Sequence, residues 1–114
     1  MTTPAVQPLS PDVSVAPQLN PEAMAWAAQA GFRSVINNRP DFEGGPDQPT
    51  NAAMQQAAQA AGLAYAFLPV HPAVQTPQEV ARFKELLAQL PTPILAFCRS
   101  GTRSAKLFRA AAGA

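Results

Sequence analysis

The residue with the clearest chemical potential is Cys98, the single cysteine of the chain. It follows an apolar run at 93–97 and opens the sequence Cys-Arg-Ser-Gly-Thr-Arg-Ser, after which a helix-forming segment begins near Ser104. Small residues between a strand and a helix let successive N–H groups point at one spot, and the positive dipole end of the helix faces the same spot. The pattern predicts an anion-binding loop that holds the sulfur of Cys98 as a nucleophilic thiolate.

The other residues of this loop are candidates for binding the anion. Arg103 is expected to clamp it, because the N–H pairs of a guanidinium match an oxyanion in geometry. Gly101 is expected to provide the curvature of the backbone. Arg99 is expected either to join the loop or to point outward and meet the substrate. The hydroxyl groups are expected to donate to the ligand or to cap the helix, and they belong to Ser100, Thr102 and Ser104.

The spacing between the cysteine and the arginine separates two reaction classes. Cysteine phosphatases place the arginine six positions after the nucleophile, where it grips two oxygens of a tetrahedral phosphoryl group. Here the sixth position is Ser104, and Arg103 comes one residue earlier. The tighter ring suits the single sulfur atom of a persulfide better than a phosphoryl group, so the spacing favours sulfur transfer.

The need for a proton donor points in the same direction. A phosphatase requires a general acid for the leaving oxygen, normally an aspartate on a neighbouring loop. The segment at 71–75 is where that loop is expected, and it contains no aspartate. The substitutes are His71 and Asp41, and each can also be interpreted as structural. Arg39 is expected either to contact substrate or to order its loop through an ion pair with Asp41. Sulfur transfer requires only a thiolate, which attacks a sulfane sulfur and passes it to an acceptor.

Length and composition limit the classes of function. The chain has 114 residues, of which 47% are hydrophobic, and these values suit one domain with a single core. The formal net charge is +1 and the basic residues are scattered, which argues against nucleic acid or an anionic membrane as partner. One cysteine and one histidine exclude an internal disulfide and an ordinary zinc site, and no cofactor is expected. Without a secretory start or a membrane-spanning run, we predict a soluble cytoplasmic protein that acts on a small molecule.

The elements that must position the cysteine loop alternate along the chain. Residues 1–12 are expected to be loose or to lie across the surface, and residues 13–114 to form a single domain. Apolar runs predict strands at 13–15, 32–37, 63–70 and 93–97. Capping residues and apolar periodicity, including a side-chain cap at Asn20, predict helices at 20–30, 50–61, 76–90 and 104–112.

This alternation predicts a three-layer α/β domain, with a mainly parallel sheet of about four to five strands and helices on both faces. Ligands of such sheets bind at the carboxyl edge, where three loops are expected to converge. They are the turn at 38–41, the turn at 71–75 and the cysteine loop. The first turn opens a stretch at 38–49 with three prolines and two adjacent glycines, and a loop of this length indicates a function.

The sequence resembles two known families. The string from Cys98 to Ser104 resembles the active loop of single-domain rhodaneses, the thiosulfate or persulfide sulfurtransferases. A wider resemblance, to the beta-lactamase-hydrolase-like, phosphatase-like domain family of bacteria, covers nearly all of the chain and includes the segments 14–18, 31–41 and 60–65. It implies a cysteine-phosphatase-like fold, similar to that of dual-specificity phosphatases. Some members are fused to, or encoded beside, a persulfide dioxygenase of metallo-beta-lactamase fold, so the resemblance also implies persulfide handling with such a partner.

Three functions are consistent with these residues. The leading hypothesis is a rhodanese-like sulfurtransferase in which Cys98 carries a persulfide from a donor, thiosulfate or a small persulfide, to a thiol or cyanide. The first alternative is a cysteine-dependent phosphatase, a hydrolase that acts on a phosphoester through a phosphocysteine at the same residue. The second alternative is a non-catalytic module that binds anions or a protein partner.

Overall fold

One sheet organises the structure, a computed structural model that describes residues 4–113. Its strands in chain order are β1 (Gln7–Pro8), β2 (Val13–Ala16), β3 (Ser34–Asn37), β4 (Ala64–Phe67) and β5 (Ile94–Phe97). Across the sheet the order is β1-β2-β5-β3-β4, in which β1 is antiparallel to β2 and the other neighbours are parallel. The helices are α1 (Ala23–Gln29), α2 (Asn51–Ala60), α3 (Pro77–Gln89) and α4 (Thr102–Gly113).

Two hydrophobic cores lie on opposite faces of the sheet. Leu95 and Phe97 of β5 belong to a buried cluster with residues of α1 and α2. Ile94 and Ala96 belong to a second cluster with residues of α3 and α4. Because strand side chains alternate between faces and helices cover both, β5 is apolar throughout. The predicted three-layer α/β architecture with a mainly parallel sheet is confirmed.

Side-chain capping groups mark the first residues of two of the helices. Thr76 opens α3 with a capping box, in which its hydroxyl accepts from the N–H of Glu79 and the Glu79 carboxylate accepts from the N–H of Thr76. Thr50 caps α2 with its hydroxyl. The side-chain cap predicted at Asn20 is wrong, because α1 begins at Ala23 and only the backbone oxygen of Asn20 accepts from its N–H. In the described part of the chain, none of the helices has the length and apolarity needed to cross a bilayer.

The N-terminal segment contributes a strand that the sequence pattern did not predict. Within the stretch expected to be loose, Gln7 and Pro8 pair with Val15 and Ser14 as the antiparallel strand β1. Both residues of β1 are exposed, so they carry no apolar alternation from which a strand could be inferred. Residues 1–3 of the same stretch lie outside the described residues.

Four parallel strands end level with one another at the carboxyl edge of the sheet. Phe97, the last residue of β5, is in register with Ala16 at the end of β2 and with Asn37 at the end of β3. Asn37 is in turn in register with Phe67 at the end of β4. The loops that follow these strands therefore emerge side by side, and Cys98 follows the strand that lies between β2 and β3.

Candidate active site

The sulfur of Cys98 contacts a main-chain donor of its own loop. Cys98 is fully buried, and the N–H of Gly101 donates to its Sγ at 3.0 Å. Gly101 has a φ of +89°, and a Cβ at this position would contact the carbonyl group of Ala16 at 3.4 Å. The left-handed conformation, which suits glycine, turns this N–H toward the sulfur. The curvature predicted for the loop is therefore the feature that brings its donor to the thiol.

Helix α4 begins inside the loop, at Thr102, two residues before the predicted start at Ser104. The N–H of Ala105 donates to the oxygen of Gly101 at 3.0 Å, so the N–H groups of the first helical turn have no partner within the helix. The hydroxyl of Ser100 donates to that of Thr102 at 3.1 Å and lies 3.5 Å from the N–H of Thr102. The hydroxyl of Ser100 thus contacts the helix start, which is one of the two roles predicted for it.

Arg103 is fixed by three hydrogen bonds that leave one edge of its guanidinium unpaired. Nη1 and Nη2 donate to the two carboxylate oxygens of Glu43 at 2.8 and 2.7 Å, and Nη1 also donates to the oxygen of Val70 at 3.1 Å. Arg103 is only 6% exposed, yet its Nε has no acceptor among residues 4–113. Because no fully buried side-chain nitrogen of the described residues lacks a partner, Nε is at least partly accessible to solvent. This edge can bind an anion.

Glu43, in the loop after β3, bridges two buried arginines. Its Oε1 accepts from Nε of Arg39 at 2.9 Å as well as from Arg103. The hydrogen bond from Arg103 holds the pKa of Glu43 below its usual range, and Arg39 adds to this effect while burial opposes it. At neutral pH the carboxylate is therefore charged and has no proton to donate.

Arg39 is held on several sides. Its Nη1 donates to Oε1 of Gln18 at 3.1 Å, and its backbone N–H donates to Oδ1 of Asn37 at 2.9 Å. A Cβ added to Gly44 would lie 2.6 Å from Nη2 of Arg39, so the guanidinium occupies the space that a side chain at this position would need. The N–H of Gln18 donates to the oxygen of Arg99 at 3.1 Å. The loop after β2 therefore connects Arg39 with the cysteine loop.

A chain of polar side chains supports the start of the loop that carries Arg39 and Glu43. Nδ2 of Asn37 donates to the Tyr65 hydroxyl at 3.0 Å, and this hydroxyl donates to Oδ1 of Asn51 at 2.8 Å. Burial raises the pKa of Tyr65 to about 12, so the phenol stays neutral and keeps its proton for Asn51. The chain thereby connects β3, β4 and the first residue of α2.

These loops surround a cavity of about 680 Å³. Its walls carry three guanidinium groups and one carboxylate, from Arg39, Arg99, Arg103 and Glu43. The other lining residues are two with hydroxyl groups and two small or apolar ones, namely Ser100, Thr102, Gly44 and Pro72. Positive charge exceeds negative charge, so the cavity suits a small anionic molecule. Between residues 4 and 113, no three His, Cys, Asp or Glu side chains come together as a metal site.

Cys98 and Gly101 are not among the residues that line this cavity, and neither are three other predicted site residues. The hydroxyl of Ser104 is buried and donates to Oδ1 of Asn38 at 2.8 Å, so it braces the loop after β3. Oδ1 of Asp41 accepts from the N–H of Asn51 at 2.7 Å, at the start of α2. Exposed His71 accepts at Nδ1 from the N–H of Ala73 at 3.1 Å. Their roles as ligand donor or proton donor stay predictions.

Three residues that shape the site are not predicted from the sequence, namely Gln18, Glu43 and Gly44. The ion pair predicted between Arg39 and Asp41 is absent from the described residues, in which Arg39 pairs with Glu43 instead. One local signal could have found Glu43, because it stands four residues after Arg39 in a loop already suspected of a function. The contact of Glu43 with Arg103 has no local signal, since 60 residues separate them.

The sequence matches the family described as "Beta-lactamase hydrolase-like protein, phosphatase-like domain" over residues 5–114. A beta-lactamase hydrolase-like protein of Xylella fastidiosa (strain Temecula1) is 40% identical over 96 residues, which cover 84% of this chain and 22% of that protein. One from Agrobacterium fabrum (strain C58) is 41% identical over 78 residues, covering 68% and 18%. The chain thus spans about a fifth of the length of these curated relatives.

Solved structures share the fold. A candidate phosphatase from Neisseria meningitidis superimposes with a TM-score of 0.84 at 33% identity, covering 91% of this chain and 73% of that one. A candidate phosphatase from Shewanella putrefaciens gives 0.80 at 21% identity, covering 94% and 66%. The phosphotyrosine complex of TpbA from P. aeruginosa gives 0.66 at 16% identity, covering 90% and 58%. The last two comparisons speak for the fold alone, and together the three confirm the predicted cysteine-phosphatase-like architecture.

Proposed function

The chain belongs to the beta-lactamase hydrolase-like protein, phosphatase-like domain family, and on that basis we propose that it is a cysteine-dependent phosphatase of small anionic phosphomonoesters. One observation carries the proposal. A buried cysteine that accepts from a loop N–H shares its loop with Arg103, whose free edge is oriented by Glu43. The phosphatase description of the relative from N. meningitidis supports the same reaction class. The comparisons give the sulfurtransferase hypothesis less support, so it takes second place.

The proposed reaction has two steps at Cys98. The thiolate attacks phosphorus, an S–P bond forms, and the P–O bond to the leaving group breaks, which gives a phosphocysteine. Water then attacks phosphorus and the S–P bond breaks, which releases inorganic phosphate and restores the thiolate. The free edge of Arg103 and the N–H groups of the first turn of α4 stabilise the phosphoryl oxygens in both steps.

The cavity also determines which leaving groups react. Glu43 is its single lining carboxyl group, and this group is ionised and engaged with two arginines, so it cannot protonate a leaving oxygen. We therefore expect aryl phosphates, whose phenolates leave without a proton, to react far better than alkyl phosphates. His71 and Asp41 are the residues to test if alkyl phosphates react equally well.

Sulfur transfer is a second candidate because this reaction needs no general acid, and the cavity has no protonated carboxyl group to act as one. The thiolate attacks the outer sulfur of thiosulfate, the S–S bond breaks, and sulfite leaves with the electron pair of that bond. A thiol or cyanide then removes the sulfur from the persulfide. The spacing of Cys98 and Arg103, one residue shorter than in cysteine phosphatases, also favours this reaction.

One pair of measurements on the same protein separates the candidates. Turnover of p-nitrophenyl phosphate and intact mass after incubation with thiosulfate are measured for the wild type and for Cys98→Ser. Release of phosphate that is lost in Cys98→Ser supports the phosphatase. A gain of one sulfur atom on Cys98 without phosphate release overturns it in favour of sulfur transfer. If neither reaction occurs in well-folded protein, both enzymatic proposals are wrong and the anion-binding module remains.

A further inference from the structure

Two buried arginines share a single carboxylate at the cavity. Arg39 is 8% exposed and Arg103 is 6% exposed, and both donate to Oε1 of Glu43. One carboxylate neutralises only one of the two guanidinium groups. The two arginines therefore leave an excess of positive charge at the cavity, which favours the binding of an anion.

Each of the two arginines has one nitrogen without an acceptor among the described residues, and it is a different nitrogen in each. Arg103 offers Nε, as described above, and this edge is suited to the oxyanion that reacts with Cys98. Arg39 donates through Nε to Glu43 and through Nη1 to Gln18, while Nη2 has no acceptor among the described residues. Because no fully buried side-chain nitrogen of the described residues lacks a partner, Nη2 of Arg39 is also at least partly accessible to solvent. The site therefore presents a second donor that the reacting group does not need.

The two guanidinium groups that carry these donors lie close together. Nε of Arg39 and Nη2 of Arg103 contact the same oxygen of Glu43, at 2.9 and 2.7 Å. The volume of about 680 Å³ lies within the range of pockets that hold a whole small molecule. Gly44 leaves the space in which Nη2 of Arg39 lies, and Gln18 keeps the guanidinium in this orientation.

From these contacts we propose that Arg39 is a specificity-determining residue that binds a second anionic group of the substrate, joined to the reacting group by a short linker. The substrate class is then a small phosphomonoester that also bears a neighbouring carboxylate or phosphate. This inference deepens the proposed function and rests on it for the reaction, whereas the binding preference can be measured without turnover.

The test uses two phosphonates, whose C–P bonds the proposed reaction cannot break. Binding of methylphosphonate, with one anionic group, and of phosphonoacetate, with two, is measured by calorimetry. We expect phosphonoacetate to bind the wild type at least about 10-fold more tightly, which corresponds to about 1.4 kcal/mol. Arg39→Gln is expected to abolish this preference. Gly44→Ala keeps every charge but places a Cβ where Nη2 lies, and it is expected to reduce the preference in the same way.

The control is Arg82→Gln, which removes one positive charge from an exposed position on α3. It is expected to keep the preference, so that a general effect of net charge is excluded. Equal affinity of the wild type for the two phosphonates, or a preference that survives both Arg39→Gln and Gly44→Ala, overturns the inference. If Arg39→Gln does not fold, Gly44→Ala decides alone. A preference without phosphatase turnover refutes the proposed function and leaves the binding inference intact.

Discussion

Both carboxylate oxygens of Glu43 accept hydrogen bonds from the guanidinium of Arg103, which lies 60 residues later in the chain. The pair connects the loop after β3 with the first turn of α4, the helix that follows β5, and β3 and β5 are neighbouring strands of the sheet. It also uses the outer nitrogens of Arg103 and leaves Nε for a ligand. Glu43 is thus a positioning residue, and its charge sets the orientation of the group that is proposed to bind the substrate.

Replacing Glu43 by Gln is expected to lower both activity and stability. The amide cannot accept at both ends, so Arg103 loses its fixed orientation and kcat/KM falls by about 10- to 100-fold. Two buried arginines also lose their counter-charge, and the free energy of unfolding at neutral pH falls by about 1–3 kcal/mol. Chemical denaturation and steady-state kinetics of the two proteins measure these effects.

The difference in free energy of unfolding between wild type and Glu43→Gln depends on pH with a defined sign. The pKa of Glu43 in the folded protein lies below its ordinary value of 4.5, so its stabilising contribution is present above pH 4.5 and is lost as the pH falls through the lowered pKa. The stability gap between wild type and Glu43→Gln should therefore narrow in acid. A gap that stays constant across this range would show that the loss comes from packing and not from charge.

Gly101→Ala is expected to damage the site beyond its effect on stability. An alanine at a φ of +89° costs about 1–2 kcal/mol, and relaxation of the loop moves the N–H that contacts the sulfur of Cys98. We expect kcat/KM to fall by more than about 10-fold. Gly62→Ala is the matched control, because Gly62 has a φ of +81°, has open space around it and follows α2, at the amino end of β4. Equal loss of activity in both variants would refute a specific role for Gly101.

Asp41 is expected to support α2 and not to transfer a proton. Its Oδ1 accepts from the N–H of Asn51 at 2.7 Å, a bond that an asparagine can also accept. Asp41→Asn should therefore leave kcat unchanged, and the profile of kcat against pH should keep its shape on the acidic side. Asp41→Ala should lower the free energy of unfolding by about 1 kcal/mol. A large loss of kcat in Asp41→Asn, confined to alkyl phosphates, would instead identify Asp41 as the general acid.

Because of Tyr65, we expect the free energy of unfolding to fall at alkaline pH. Its pKa is about 12 in the folded protein and 10.0 ordinarily, so above pH 10 the unfolded chain loses a proton that the folded protein keeps. The stabilising contribution is thus present below pH 10 and is lost as the pH rises through the folded pKa. Tyr65→Phe lacks this dependence, although it loses about 1–2 kcal/mol at pH 8 with the hydrogen bonds to Asn37 and Asn51.

Absorbance of the tyrosinate measures the titration directly, because the chain has one tyrosine. A titration midpoint near 10 in the native protein would contradict the buried environment. A stability gap between wild type and Tyr65→Phe that does not narrow above pH 10 would do the same.

The fold was predictable where local residues determine local structure. The capping box at Thr76 and Glu79 and the apolar strand before Cys98 each act over a few positions, and both are present in the structure. The cysteine loop follows from the same kind of signal, because Gly101 permits the backbone conformation that α4 then continues.

The parts of the fold and the site that could not be predicted depend on contacts between distant segments of the chain. Glu43 and Arg103 carry no shared pattern in the sequence, since Glu43 lies in an irregular loop and Arg103 lies 60 residues later, in α4. The pairing of β1 with β2 rests on two exposed residues without apolar alternation. Residues whose role comes from a partner far along the chain become visible only when the sheet order is known.

The position of β5 has a consequence for how the candidate site is assembled. This strand follows β2 and β3 in the chain but separates them in the sheet, so the β1-β2 and β3-β4 pairs meet no common neighbour until β5 inserts. Non-local insertions of this kind are slow compared with the formation of hairpins or helices. Without β5 in place, the chain lacks the cavity and the contact of Glu43 with Arg103. Closure of the sheet and assembly of the candidate site are thus a single event.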